Sequence, residues 1–383
     1  MYLGTSFLSL GSTLVLLLGL PFLAMDYRHF SKHTLFRPFC FLVGALLVSI
    51  FFAEPFPYQK TLFKLRYFLC LFVSTFVFSR LPKTWDKIQK ASLFIPSVLG
   101  PLAILQHKQL IGFLNHWFDI PQISHATGFL THHTAFGLSM VYAFQLLLPR
   151  ITKSNPKRLN VFLRLSCVLC VVAVLCSFSR GAFAALVVSS GLVFFLQGFA
   201  FRKWITLSIL VFLFSIPIFL NSSLRDRFVN VDRSKFSDRL ELYSFAWDEF
   251  KRRPFVGHGF GRFSLELEKY PERKARSGGH GHAHNMFLDF LAGSGVLGLG
   301  AFLWYLWVLN SQVWSKFRGA IERKTWFSSL FGIWTAFLVG GLFDEYLLWN
   351  QVLIPTMILL GSAFDWPTER AGKPPEHSVF TRD

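Results

Sequence analysis

Residues 159–199 read LNVFLRLSCVLCVVAVLCSFSRGAFAALVVSSGLVFFLQGF, two apolar runs set back to back around Ser177-Phe178-Ser179-Arg180. As helices, the runs 159–178 and 181–199 are each long enough to cross about 30 Å of hydrocarbon. So little chain separates them that they predict a helical hairpin turning at one membrane face. Similar runs recur at 5–25, 38–53, 61–79, 91–105, 133–149, 204–220, 286–309, 326–343 and 351–365. Hydrophobic residues make up 52% of the 383 residues and charged residues only 16%, fewer charges than a soluble globule carries. The expected fold is an all-α polytopic membrane protein with about 11 transmembrane helices (about 10–12) and a large extracytoplasmic loop containing amphipathic helices.

Orientation follows from Lys and Arg, because positively charged short loops stay cytoplasmic. Basic loops hold Arg28, Lys32 and Arg37; Arg80, Lys83, Lys87 and Lys90; Arg150, Lys153, Lys157 and Arg158; Arg202 and Lys203; and Lys316, Arg318, Arg323 and Lys324. Between them, 54–60, 106–132 and 344–350 hold few basic residues and are expected outside, with the amino terminus out and the carboxyl tail in. The long stretch 221–285 is basic, but its length largely exempts it from the rule, and alternation puts it outside. The run 5–25 has no basic stretch before it and no small-residue cleavage site after Met25, so it is expected to remain as a helix. The partition is then helices 1–8 over 1–220, an outer loop 221–285 carrying the catalytic residues, helices 9–11 over 286–366, and a flexible cytoplasmic tail 367–383.

The formal net charge of +18 sits mostly in the cytoplasmic loops, where anionic lipid headgroups explain it, so the expected partners include membrane lipids and exclude nucleic acid. Cys40, Cys70, Cys167, Cys170 and Cys176 all fall in apolar runs, which reads Cys167-x-x-Cys170 as small buried residues rather than a redox pair.

Chemistry-bearing residues collect at the outer face. Arg180 interrupts the positive-inside pattern, and either a snorkelling side chain or a bound anion eases that placement. In the outer loop, Leu240, Tyr243, Trp247 and Phe250 recur at helical spacing. Asp238 and Glu241 resemble a capping box, and Pro254 predicts the stop near Arg253. Arg239 then falls in the first turn, where the helix dipole disfavours a cation unless an anion is bound; a solvated surface arginine is the plainer reading. Gly279-His280-Gly281-His282-Ala283-His284-Asn285 leads into the run at 286. Its histidines have three readings: a transition-metal site, for which no partnering carboxylate is evident; an inert pH-sensitive loop; or a general base, with His284 best placed. His132, His133, Asp344 and Glu345 are weaker candidates at other outer helix ends. No Asp-x-Asp pair stands in the outer loop to chelate a diphosphate through a metal.

Ser179-Arg180-Gly181-Ala182, then Arg239 through Trp247 with Arg253-Pro254-Phe255-Val256-Gly257-His258-Gly259, then His282-Ala283-His284-Asn285 form an ordered set over roughly 165–310 that resembles the O-antigen ligase and polymerase superfamily of bacterial inner-membrane enzymes. The resemblance implies glycosyl transfer at the periplasmic face of the inner membrane, without metal or other cofactor, from an undecaprenyl-diphosphate-linked glycan. It implies that Arg180 and Arg239 bind the diphosphate and that His284 is the essential histidine, with His282, His280, Asn285 and His258 as secondary candidates. For an O-antigen ligase the acceptor is the lipid A-core. The alternatives are an O-antigen polymerase, a protein O-oligosaccharyltransferase and, outside the enzymes, a polyprenyl-linked glycan transporter. A transporter would line a path through the bundle with charges, and the spans hold almost none at mid-depth.

Overall fold

The computed structural model describes residues 19, 21, 23–53, 59–81, 84–107, 125–130, 132–151, 155–198, 233–278, 280–319, 324–346 and 349–364. All regular structure among them is helical: α1 (Tyr27–Lys32), α2 (Phe36–Phe51), α3 (Gln59–Arg80), α4 (Thr84–His107), α5 (His133–Leu147), α6 (Lys157–Cys176), α7 (Arg180–Leu196), α8 (Arg233–Arg252), α9 (Phe263–Glu268), α10 (Pro271–Arg276), α11 (Met286–Gly319), α12 (Lys324–Gly341) and α13 (Asn350–Gly361). Helices α2 to α7 and α11 to α13 fall on the apolar runs. The run 204–220, most of 5–25 and the tail 367–383 lie outside the described residues. Helices α6 and α11 are long and apolar enough to cross a membrane, while α2, α7 and α13 are shorter apolar helices.

Helix is the form such segments must take in hydrocarbon, where every backbone N–H and C=O has to be satisfied within the chain. Phe41, Phe94, Leu165, Phe195 and Trp307 are exposed on the outer surface, an arrangement that suits lipid. Helix α7 packs along α12, α3 along α13, α4 along α6, and α2 along α11. Between them, Gln145 donates to Ser189 Oγ at 2.7 Å and Ser190 Oγ at 3.1 Å, and Thr75 donates to Gly361 O at 2.9 Å. Interhelical bonds of this kind contribute about 0.6 kcal/mol each in membrane bundles, so close packing of small residues carries most of the cohesion.

Helix α11 differs from its hydropathy in two ways. It runs on to Gly319, so that Lys316 and Arg318, expected in a loop, extend it. It is also broken at Gly295, whose φ of 61° and ψ of −164° no helix contains. The stretch after α8 fills the break: Val296 N donates to Pro254 O at 2.8 Å, Leu297 N to Phe255 O at 3.2 Å, His258 N to Ala292 O at 3.1 Å and Gly259 N to Gly293 O at 2.8 Å. Ser49 on α2 completes the joint, donating to Gly293 O at 2.6 Å and accepting from Phe260 N at 3.1 Å. Non-helical backbone at a membrane span is tolerated when another part of the chain satisfies it in this way.

Helix α8 begins at Arg233, five residues earlier than the Asp238-Glu241 box predicts. Residues 233–237 contain neither Gly nor Pro, so nothing stops propagation through them. Glu241 is engaged by Arg273 of α10, which also reaches Asp248 at 2.9 Å and Ser244 at 3.0 Å. The α8 face that packs down is Leu242, Phe245 and Ala246, against Phe263, Leu267, Ala283 and Ala292. Leu240 and Trp247, from the predicted apolar stripe, point outward instead, about half exposed. Packing along α11, the helix is held over the first part of the broken span.

Candidate active site

Helix starts converge beneath α8. Helix α7 begins at Arg180, capped by Ser179, whose Oγ accepts from Ala182 N at 3.2 Å. Helix α11 begins after Asn285, whose Oδ1 accepts from Phe287 N at 3.0 Å and Leu288 N at 3.2 Å. Asn285 is therefore a helix cap, with its Oδ1 committed to that duty. Close approach of Gly181 to Phe343 and of Gly341 to Met286 brings the α12–α13 turn into the same space. Only two non-glycine residues among those described have positive φ, Phe178 at 55° and His284 at 51°. One lies two residues before Arg180 and the other just before the α11 cap, so both motifs aim their side chains through strained backbone.

Arg180 and Arg239 interact electrostatically, as two like charges. The Arg239 field also reaches Tyr243, His280, His282 and Tyr346. Neither guanidinium has a carboxylate within ion-pair distance among the described residues. Because α8 starts early, Arg239 stands in the second turn, and the expected cradle of free N–H groups at its own helix start is not what holds it. The helix start in the site is that of α7, with Arg180 at its first position.

Asp344 organises the histidines. The carboxylate is 4% exposed and accepts from His282 Nε2 at 3.1 Å, Glu345 N at 2.9 Å and Thr134 Oγ1 at 2.9 Å. His284 Nδ1 lies 3.3 Å from the same Oδ1, an ion-pair distance without the alignment of a full hydrogen bond. Burial alone would raise the Asp344 carboxyl, but the His282 hydrogen bond and the close approach and fields of His282 and His284 hold it far below the usual carboxylate range. Burial lowers the His284 pKa, and the neighbouring His282 and His280 push the same way against Asp344. For His282 burial is outweighed by the Asp344 hydrogen bond and charge, and its pKa rises. The loop itself is pinned by Ala283 N, which donates to Asp289 Oδ2 at 2.9 Å. His280 packs edge-on against His284 at 4.6 Å but remains exposed.

The fold thus supplies the carboxylate that the histidine loop lacks in sequence. His282, His284 and Asp344 offer ligand atoms within 4.8 Å of one another, and so do Glu249, His258 and Glu266. The second group sets His258 apart from the site where sequence placed it. Its Nε2 donates to Glu249 O at 3.0 Å and lies 3.2 Å from Glu249 Oε2. Arg252 and Lys269 each pair with these glutamates at 2.6 Å, with Arg262 at 3.7 Å, so the carboxylates are already balanced by cations. That cluster clamps α8 to α9.

Sequence reasoning ranked Asp344 low and passed over Thr134 altogether. The only signal for either was a polar residue at an outer helix end. Of the residues singled out from sequence, His280, His282 and His284 lie in ring contact, and the Arg239 field reaches Arg180, His280 and His282.

A family model described as O-antigen ligase matches residues 165–303, which spans Arg180, Arg239 and the whole histidine loop. No curated protein matches the chain.

Proposed function

We propose, for a chain that belongs through residues 165–303 to the O-antigen ligase superfamily of membrane glycosyltransferase-like enzymes, that this protein is the O-antigen ligase itself. It moves O-antigen polysaccharide from undecaprenyl diphosphate to the lipid A-core at the periplasmic face of the inner membrane. The observation that carries the reading is the pair Arg180 and Arg239, two like charges within each other's field, neither with a carboxylate at ion-pair distance among the described residues, and the first of them at the start of α7. Like charges so placed are relieved by an anion, and a diphosphate matches two planar donor forks.

In the reaction the anomeric C–O bond to the diphosphate breaks and its electron pair leaves on the phosphate oxygen. Arg180 and Arg239 stabilise that charge as it develops, an effect that counts for more wherever water is excluded than in bulk. The acceptor hydroxyl forms the new C–O bond and gives its proton to His284. With Nδ1 turned to Asp344, Nε2 is the nitrogen left to take that proton, and Asp344 steadies the imidazolium that results. This chemistry uses no metal. The broken helix α11 and the loop plugged into it hold donor and acceptor sites in one frame, which removes the entropy cost of their encounter.

The test is a lipopolysaccharide gel from a strain lacking the gene, with lipid-linked glycan measured in the same cells. Loss of all attached O-antigen while long chains accumulate on the carrier supports the ligase. A core bearing a single repeat unit would mean a polymerase, and an unchanged ladder would send the assignment to protein glycans or transport.

A further inference from the structure

Thr134 is the second residue of α5, 210 positions from Asp344 in sequence, yet its hydroxyl donates to Asp344 Oδ2 at 2.9 Å. His132 Nδ1 lies 2.9 Å from the same hydroxyl. The proton directions are fixed by chemistry. An ionised carboxylate only accepts, so the single Thr134 hydroxyl proton points to Asp344. The Thr134 oxygen must then accept, so His132 carries its proton on Nδ1. Oδ1 is occupied by His282 and Glu345 N, which leaves Thr134 as the donor that holds Oδ2. Trp349 braces both sides, its ring 4.7 Å from that of His132 and 6.0 Å from that of His282, and His132 also stacks on His133 at 4.7 Å.

We propose that His132 and Thr134 are positioning residues for transfer, a hydrogen-bond relay from α5 that locks the Asp344 carboxylate so that it presents one oxygen to His284. The inference rests on His284 as the base. Without the relay the carboxylate turns about its Cβ–Cγ bond and His284, already off-line from Oδ1, loses its orientation. Outer partners of this kind typically change activity about tenfold to a hundredfold.

The test is a double-mutant cycle on the purified full-length protein, turning over a polyprenyl-diphosphate-linked glycan. Thr134→Val removes the hydroxyl and keeps the shape; His132→Phe keeps a ring against His133 and Trp349. The expected result is a kcat for Thr134→Val lower by about tenfold to a hundredfold with donor KM within about twofold. Thr134→Ser should recover most of the loss. The double variant should be no worse than Thr134→Val alone, because both act through one carboxylate. Full kcat in Thr134→Val or in His132→Phe, strictly additive losses, or a Ser variant as poor as Val would overturn the relay. If Thr134→Val does not accumulate in the membrane, His132→Phe alone decides. His284→Ala run alongside separates the two claims: full activity there removes the base, whereas an inactive His284→Ala beside a fully active Thr134→Val removes only the relay.

Discussion

His284 Nδ1 stands 3.3 Å from Asp344 Oδ1, and the two come from opposite sides of the matched domain boundary, inside and outside residues 165–303. The histidine that the motif supplies is therefore completed by a carboxylate from the turn between α12 and α13. Asp344→Asn keeps the shape and removes the charge. Transfer should fall by at least about tenfold to a hundredfold with protein abundance near wild type, measured as turnover of lipid-linked glycan in membranes. A fully active Asn variant would separate Asp344 from the chemistry.

The pH dependence follows from opposite shifts at the two histidines. A base works when unprotonated, and the His284 pKa lies below its ordinary 6.5, so activity should rise with pH through a midpoint under 6.5. His282 is raised, so the stability contributed by its pair with Asp344 is fully present below pH 6.5 and is lost as pH climbs through the raised value. A kcat/KM–pH profile, which reports the free enzyme, and thermal unfolding of wild type against His282→Ala check both. An acid limb centred above 6.5 would remove His284 as the base.

At Arg180 and Arg239 the expected outcome is loss of transfer in either alanine variant, and little recovery in Arg180→Lys or Arg239→Lys. Lysine supplies the charge without the planar fork. Donor binding, read by retention of a lipid diphosphate on the purified protein, should weaken in each. A lysine variant with wild-type turnover would show that charge alone suffices.

Chelators bear on the histidine cluster directly, since His282, His284 and Asp344 are spaced closely enough for one cation. Transfer measured with and without EDTA in metal-depleted buffer should be unchanged if Asp344 serves the histidines by hydrogen bonding. Strong inhibition that added zinc reverses would assign the three residues to a metal instead.

What was legible in the chain tracks the range over which each cause acts. Hydropathy works over about twenty contiguous residues, and the runs at 38–53 through 181–199 emerged as helices with ends a few residues adrift. Arg180, Arg239 and His284 stand out in sequence because each sits in a short local pattern. The partner of His282 lies 62 residues away and that of Thr134 lies 210 away, and no local pattern marks a residue for a contact at that range. The early start of α8 was lost because the Asp238-Glu241 signal was local and a competing use of Glu241, its pair with Arg273, was not.

The break in α11 was illegible for a sharper reason, and it yields the last prediction. Gly293, Gly295, Gly298 and Gly300 follow one another along the same apolar run and look alike in sequence. The loop 254–260 distinguishes them, pressing its backbone closely against Gly295 and less closely against Gly293. A Cβ on Gly295 would meet Phe255 C at 2.5 Å at a φ of +61°, and a Cβ on Gly257 would meet Ser294 N at 2.5 Å at a φ of +67°. Backbone strain alone costs about 1–3 kcal/mol at such a position, and neither neighbour is a side chain that can swing away. A Cβ on Gly300 would have nothing within 4 Å, so no such constraint acts there. Gly295→Ala and Gly257→Ala should therefore lower the unfolding temperature and the amount of protein in membranes, and displace α8 with Arg239 from the site. Gly300→Ala, which gains helix propensity, should leave both unchanged or raised. Equal behaviour of Gly295→Ala and Gly300→Ala would mean that the loop does not plug the break, and that Arg239 reaches Arg180 by some other support.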